Sequence, residues 1–156
     1  MRVVNNRAIV LRTKRPHLVT EKIKNYKILE EAEGVYKLAV RWKLYEAQML
    51  NQLKIKNVPS PILKDYQWGG RHTPFAHQKE TSSFLTLNKK AFCFNEQGTG
   101  KTASVIWAAD YLMNEGKLNR VLVICPLSIM KSAWQEDLFK FAMHRTCSIA
   151  HGSSAR

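Results

Sequence analysis

Strict alternation of apolar and polar residues is clearest in "VYKLAVRW", where Tyr36, Leu38, Val40 and Trp42 fall on one side and Lys37, Ala39, Arg41 and Lys43 on the other. A period of two is that of a half-buried strand, with one face for a core and one basic face for solvent. "RAIVLRT" reads as a second strand. Between them "PHLVTEKIKNYKIL" places Val19, Ile23 and Tyr26 at helical spacing behind Pro16, a residue suited to a first helical position, and predicts a helix. "LYEAQMLNQLKI" predicts another. The expectation for residues 1–62 is a small strand, helix, strand, helix module.

"VPSPILKDYQWGGRHTP" interrupts both periods with prolines and a Gly-Gly pair, which marks residues 63–73 as a linker. Beyond it "AHQKETSSFLTLN" predicts a helix, "AFCFN" a short apolar strand and "KTASVIWAADYLMNEG" a long helix stopped at Gly116. "RVLVICP" then reads as a strand, "IMKSAWQEDLFKFA" as a helix and "CSIAH" as a third strand. Apolar strands alternating with helices are the pattern of a parallel, doubly wound sheet, so residues 74–156 are expected to be an α/β domain of that kind.

Charge adds a partner class. The net charge is +13 and the pI about 9.9, a footprint for polyanions with nucleic acid foremost. The excess is concentrated early, with 14 Lys and Arg against 6 Asp and Glu up to Gly70, and 11 against 6 afterwards. Lys37, Arg41 and Lys43 are therefore candidate contacts to a nucleic-acid backbone, the competing assignment being a merely solvated sheet face. Cys93, Cys125 and Cys147 are odd in number, far apart and set in apolar runs, which predicts buried reduced thiols and no metal or disulfide framework. No run is long and apolar enough for a membrane span, and the amino terminus has no signal-type core. The expected location is cytoplasmic: host cytoplasm for a viral protein, or associated with the nucleoid.

The candidate chemistry lies in "FNEQGTGKT". A phosphate-binding loop needs a strand that stops abruptly, glycines that turn backbone N–H groups inward, a lysine for the outer phosphates and a hydroxyl for magnesium. Gly98 and Gly100, Lys101 and Thr102 are those parts, between an expected strand and an expected helix. The strict pattern has a glycine where this chain has Asn95. The looser loop resembles that of superfamily 2 helicases and translocases, and "NEQGTGKT" is similar to the Swi/Snf-type version, with Asn95 where an aspartate is usual and Glu96 retained.

Two flanking stretches agree with that resemblance. "RHTPFAHQKE" resembles the Q motif, which implies that Gln78 meets the adenine edge with Arg71 beside it; Tyr66, Trp68 and Phe75 are the candidates to stack on the ring. "VLVICPLSIMKSAWQEDLFKF" is similar to motif Ia, which implies a contact from Ser128, just after Pro126, to the nucleic-acid backbone; simple N-capping is the competing role. Trp134 shares a helical face with Ala133, Leu138 and Phe141 and is expected to pack. The resemblance covers about residues 74–156 and implies the first part of a RecA-like parallel sheet. It also implies ATP at Gln78, Arg71, Glu96, Gln97, Gly98, Thr99, Gly100, Lys101 and Thr102, with Lys101 and Thr102 catalytic and the Thr102 hydroxyl on Mg²⁺.

Hydrolysis in this superfamily also uses an Asp-Glu-x-His type motif and a second RecA-like lobe, neither of which is found before the chain ends at "HGSSAR". The expectation is thus an amino-terminal part of an ATP-dependent DNA helicase or translocase, RNA remaining possible. This piece would bind nucleotide and nucleic acid without turning over, with the second lobe supplied by a carboxy-terminal part. The alternative is a non-catalytic nucleotide- and DNA-binding module.

Overall fold

The computed structural model describes residues 1–68 and 72–152, which divide into two compact units. The first comprises Met1–Gln67 with Ser83–Phe92, and the second Trp68–Ser82 with the residues from Cys93 onward.

In the first unit four strands form one antiparallel sheet: β1 (Arg2–Val4), β2 (Ala8–Thr13), β3 (Tyr26–Ala32) and β4 (Val35–Arg41), in the order β1-β2-β4-β3. Asn5 and Asn6, both left-handed, turn β1 into β2, and Glu33 with Gly34 turns β3 into β4. Consecutive positive φ values produce the tight turn whose twist matches that of paired strands. Helix α1 (Pro16–Thr20) and helix α2 (Leu44–Gln52) supply the apolar side chains that cover one sheet face. Ile9, Leu11, Leu38 and Val40 from the sheet meet Val19, Ile23, Ala47 and Leu50 in a single core. Trp42 closes it, with its indole N–H donating to the Pro59 carbonyl at 2.8 Å. A short helix α3 (Ile62–Asp65) follows.

The alternations of β2 and β4 and the helix α2 match the expected elements. The long helix expected from Pro16 does not form: it stops at Thr20, and Tyr26–Ala32 is a strand. Val19 and Ile23 are buried as their spacing required, but Tyr26 is exposed. Pairing with β4 through the Glu33-Gly34 turn satisfies one side of this segment's backbone, on either side of an irregularity between Ile28 and Glu30, and that outweighs a weak local helical period.

Helix α4 (Ala76–Leu87) begins in the second unit and ends in the first. In the second unit α5 (Lys101–Asn114) is the main element; it buries Ile106, Trp107, Ala108 and Tyr111. After it come α6 (Leu127–Ile129), a π-helical turn (Met130–Gln135) and α7 (Glu136–Phe141). Trp107 meets Phe141 edge-on at 5.1 Å between ring centroids and Trp68 at 5.7 Å. Buried Asp110 of α5 accepts hydrogen bonds from Arg145 at 2.6 Å and pairs with His144 at 2.8 Å, which fixes the chain after α7.

The expected parallel sheet of a RecA-like lobe is not present among the described residues. "AFCFN", "RVLVICP" and "CSIAH" form no strands, and Phe92, Phe94, Leu122 and Ile124 are more than 80% exposed. A strand that is apolar on both sides is stable only when its backbone is paired and both faces are covered. Here Trp107 of α5 packs against Phe141 of α7, and among the described residues these segments join no sheet. The architecture is mixed α/β with an antiparallel sheet. The thiols are free as expected, but Cys93 and Cys125 are half-buried and Cys147 is exposed, because the strands that would have enclosed them do not form.

Candidate functional site

Helix α5 starts abruptly at Gly100, whose φ of 76° is left-handed, and Gly98 two residues earlier has a φ of 79°. Such backbone is strained for any residue with a Cβ. No side chain caps the helix, so the N–H groups of its first turn are left for an anion, which the helix dipole favours there. Lys101 and Thr102 are its first two residues. The Lys101 ammonium donates to the carbonyls of Asn95 (2.9 Å) and Glu96 (2.7 Å), and the Thr99 hydroxyl donates to the same Glu96 carbonyl at 2.8 Å. The loop folds around its own lysine, with Glu96, Gln97 and Gly98 exposed to solvent and Gly100, Lys101 and Thr102 half-buried.

Helix α4 braces this loop. The Gln78 side chain accepts from the Phe75 N–H at 3.0 Å and donates to the Thr99 carbonyl at 3.2 Å; His77 reaches the same carbonyl at 3.1 Å. One turn on, Thr81 accepts from the Asn95 side chain at 2.9 Å while its own hydroxyl donates to the His77 carbonyl. Ser82 donates to the Ser104 carbonyl of α5 at 2.9 Å. His77 with Thr81, and Gln78 with Ser82, are i, i+4 pairs on adjoining lines of one helix face. The stripe is legible in "AHQKETSS", where His77, Thr81 and Ser82 stand at helical spacing around Gln78. Asn95 also gains a reason: the Thr81 proton is directed at His77, so its partner must donate, which an amide does and a carboxylate does not.

The structure thus brings Gln78, Glu96, Gln97, Gly98, Thr99, Gly100, Lys101 and Thr102 together. Arg71 lies outside the described residues. Of the candidate stacking rings, Trp68 packs edge-on against Trp107, whereas Phe75 is 67% exposed and stacks on His77 at 5.7 Å. Ser128 is exposed at the second position of α6; Pro126 takes the N-cap place, so capping is not its role. Trp134 is half-buried in the π-helical turn, and Leu138 and Phe141 of the same face are half-buried too.

The three basic candidates of the first unit do not form one group. Lys37 and Arg41 share the sheet face away from the core, with Lys37 paired to Glu30 at 3.0 Å. Lys43 lies beyond β4, at the N-cap position of α2, and pairs with Asp65 at 3.2 Å. Among the described residues no helix is long and apolar enough to cross a membrane, and no three His, Cys, Asp or Glu side chains are grouped to hold a metal ion.

Comparison with known proteins gives one distant likeness. Over 103 residues, 65% of its length, the chain is 32% identical to the protein of Methanocaldococcus jannaschii named "Putative CRISPR-associated nuclease/helicase Cas3". It spans 13% of that protein's length. No family model and no solved structure matches the chain. At this coarse level the chain is similar to a helicase.

Proposed function

We propose that the chain is the nucleotide-binding front part of an ATP-dependent helicase or translocase of the Swi/Snf-like branch of superfamily 2, acting on DNA. The second unit, which carries the loop and α5, holds the nucleotide, and the first unit is a basic accessory domain. The observation that carries the proposal is the start of α5: two left-handed glycines, an uncapped helix N-terminus, and Lys101 and Thr102 in its first turn. A loop whose lysine rests on two carbonyls is a fit for a triphosphate, because phosphate oxygens can replace those carbonyls around the same ammonium. The first-turn N–H groups and Lys101 would then hold the outer phosphates. The Thr102 hydroxyl would hold Mg²⁺, which neutralises phosphate charge when bound. Gln78 and the exposed ring of Phe75 flank the place of the base. The helicase-like relative supports the nucleic-acid part of the proposal.

Titration of the full chain with fluorescent ATP and ADP in Mg²⁺ tests it. Lys101→Ala should weaken binding by at least about tenfold, the equivalent of about 1.4 kcal/mol. Equal affinity of wild type and variant would refute the nucleotide role. Turnover is expected to be negligible with or without duplex DNA, since the acidic motif that orients water is missing from the 156 residues. Measuring duplex affinity with and without bound nucleotide addresses the non-catalytic module: nucleotide that binds but never alters DNA affinity would favour that reading.

A further inference from the structure

The sheet of the first unit has one face packed under α1 and α2 and one face without helices, and the register decides what the open face carries. Arg2 pairs with Val10, Val10 with Ala39, and Ala39 with Lys27, so these four residues cross all four strands on one face. In the next row Arg12 lies opposite Lys37 and Lys37 opposite Glu30; in the row on the other side Ala8 lies opposite Arg41. Directly opposed residues share a face. Ile9, Leu11, Leu38 and Val40 alternate with them and are in the core, which places these rows outward. Five cations from four strands thus surround a floor of Val10 and Ala39, with Glu30 as the acid of the same rows.

Arg2, Arg12, Lys27 and Arg41 are exposed, while Lys37 is half-buried in its pair with Glu30. The Glu30 carboxyl is held below its ordinary range by the hydrogen bond and charge of Lys37, with Arg12 adding to it, so the field of the patch is felt across strands. From Lys37 to Arg41 is about 13 Å along the strand, and from Arg2 to Lys27 about 14 Å across three strand spacings. A duplex passes about eight phosphates over 14 Å, roughly half on the near side, which the four exposed cations match in number. None of the paired residues in these rows is aromatic, so the face lacks the stacking platform of a single-strand binder, and its small apolar floor offers no anchor for lipid.

We propose that this open sheet face, through Arg2, Arg12, Lys27 and Arg41, is a docking surface for the phosphate backbone of duplex nucleic acid, read without regard to sequence. It deepens the nucleic-acid part of the proposed function and is independent of the nucleotide loop, so a chain that fails to bind ATP leaves it standing.

The test is fluorescence anisotropy of the full chain with a duplex of about 20 bp over a salt series, beside vesicles of phosphatidylserine and phosphatidylcholine. Wild type should show a slope of log K on log salt of about −3 to −4. Replacing Arg2, Arg12, Lys27 and Arg41 by glutamine should reduce affinity by about 100-fold and the slope by about 3. A control with the same change of charge, replacing Lys22, Lys24, Lys54 and Lys56 by glutamine, should stay within about threefold. An equal loss in the control, an unaffected sheet variant, or a loss confined to vesicles would overturn the proposal. Should the fourfold variant fail to fold by circular dichroism, Arg12→Gln with Arg41→Gln should still reduce the slope by about 2.

Discussion

Gly100→Ala is the sharpest test of how α4 holds the loop. The φ of 76° costs a residue with a Cβ about 1 kcal/mol relative to glycine. An added Cβ would also lie 2.2 Å from the Gln78 side-chain nitrogen, far inside contact distance. That nitrogen ends a flexible side chain, so the amide swings away rather than the backbone moving. It loses its bond to the Thr99 carbonyl, 3.2 Å long, a net cost of about 1 kcal/mol. His77 keeps its own contact to that carbonyl, so the loop is weakened, not released. The sum, about 2 kcal/mol, corresponds to about a 30-fold loss of nucleotide affinity if the loop conformation is what binds. Calorimetric titration of Gly100→Ala, Gln78→Ala and the double variant separates the two parts. With Gln78 shortened there is nothing to displace, so adding Gly100→Ala should then cost only the strain, leaving a coupling of about 1 kcal/mol. Additive effects, or a Gly100→Ala variant that binds as wild type does, would refute the geometry.

Two further outcomes concern stability. Leu38→Ala removes a fully buried side chain from β4, the strand flanked on both sides, and should lower the unfolding free energy of the first unit by about 2–5 kcal/mol in urea titration. For Asp65, burial raises the carboxyl but the hydrogen bonds from Lys64 and Lys43 outweigh it, leaving the group below its ordinary value. A lowered folded pKa means stability that is present above the unfolded value of about 4 and is lost as pH falls through the folded one. Asp65→Asn should therefore flatten the acid limb of the melting curve below about pH 4, by under about 1 kcal/mol because the pair is partly solvated.

What was legible in the sequence was whatever local spacing decides. The alternation in "VYKLAVRW" placed Leu38, Val40 and Trp42 inside, and "GTGKT" before an apolar run placed the start of α5 at Lys101. β3 was not legible, because Val19, Ile23 and Tyr26 happen to fall at helical spacing, and the Glu33-Gly34 turn that pairs β3 with β4 acts only once both strands meet. The apolar segments around Phe92 and Ile124 depart from their pattern for the opposite reason: local pattern names a strand, but a ladder needs partners.

The basic face shows the same division between local pattern and pairing. One strand's alternation grouped Lys37, Arg41 and Lys43, yet the chain leaves the sheet at Trp42 and Lys43 turns into α2, where Asp65 neutralises it. Arg2, Arg12 and Lys27 come from three other strands and join Lys37 and Arg41 only through register. A slip of one residue in β2 would turn Arg12 toward the core and Leu11 to solvent. The burial of Ile9 and Leu11 is therefore what holds the cations outward, so the core of this unit and its charged face are set by one and the same pairing.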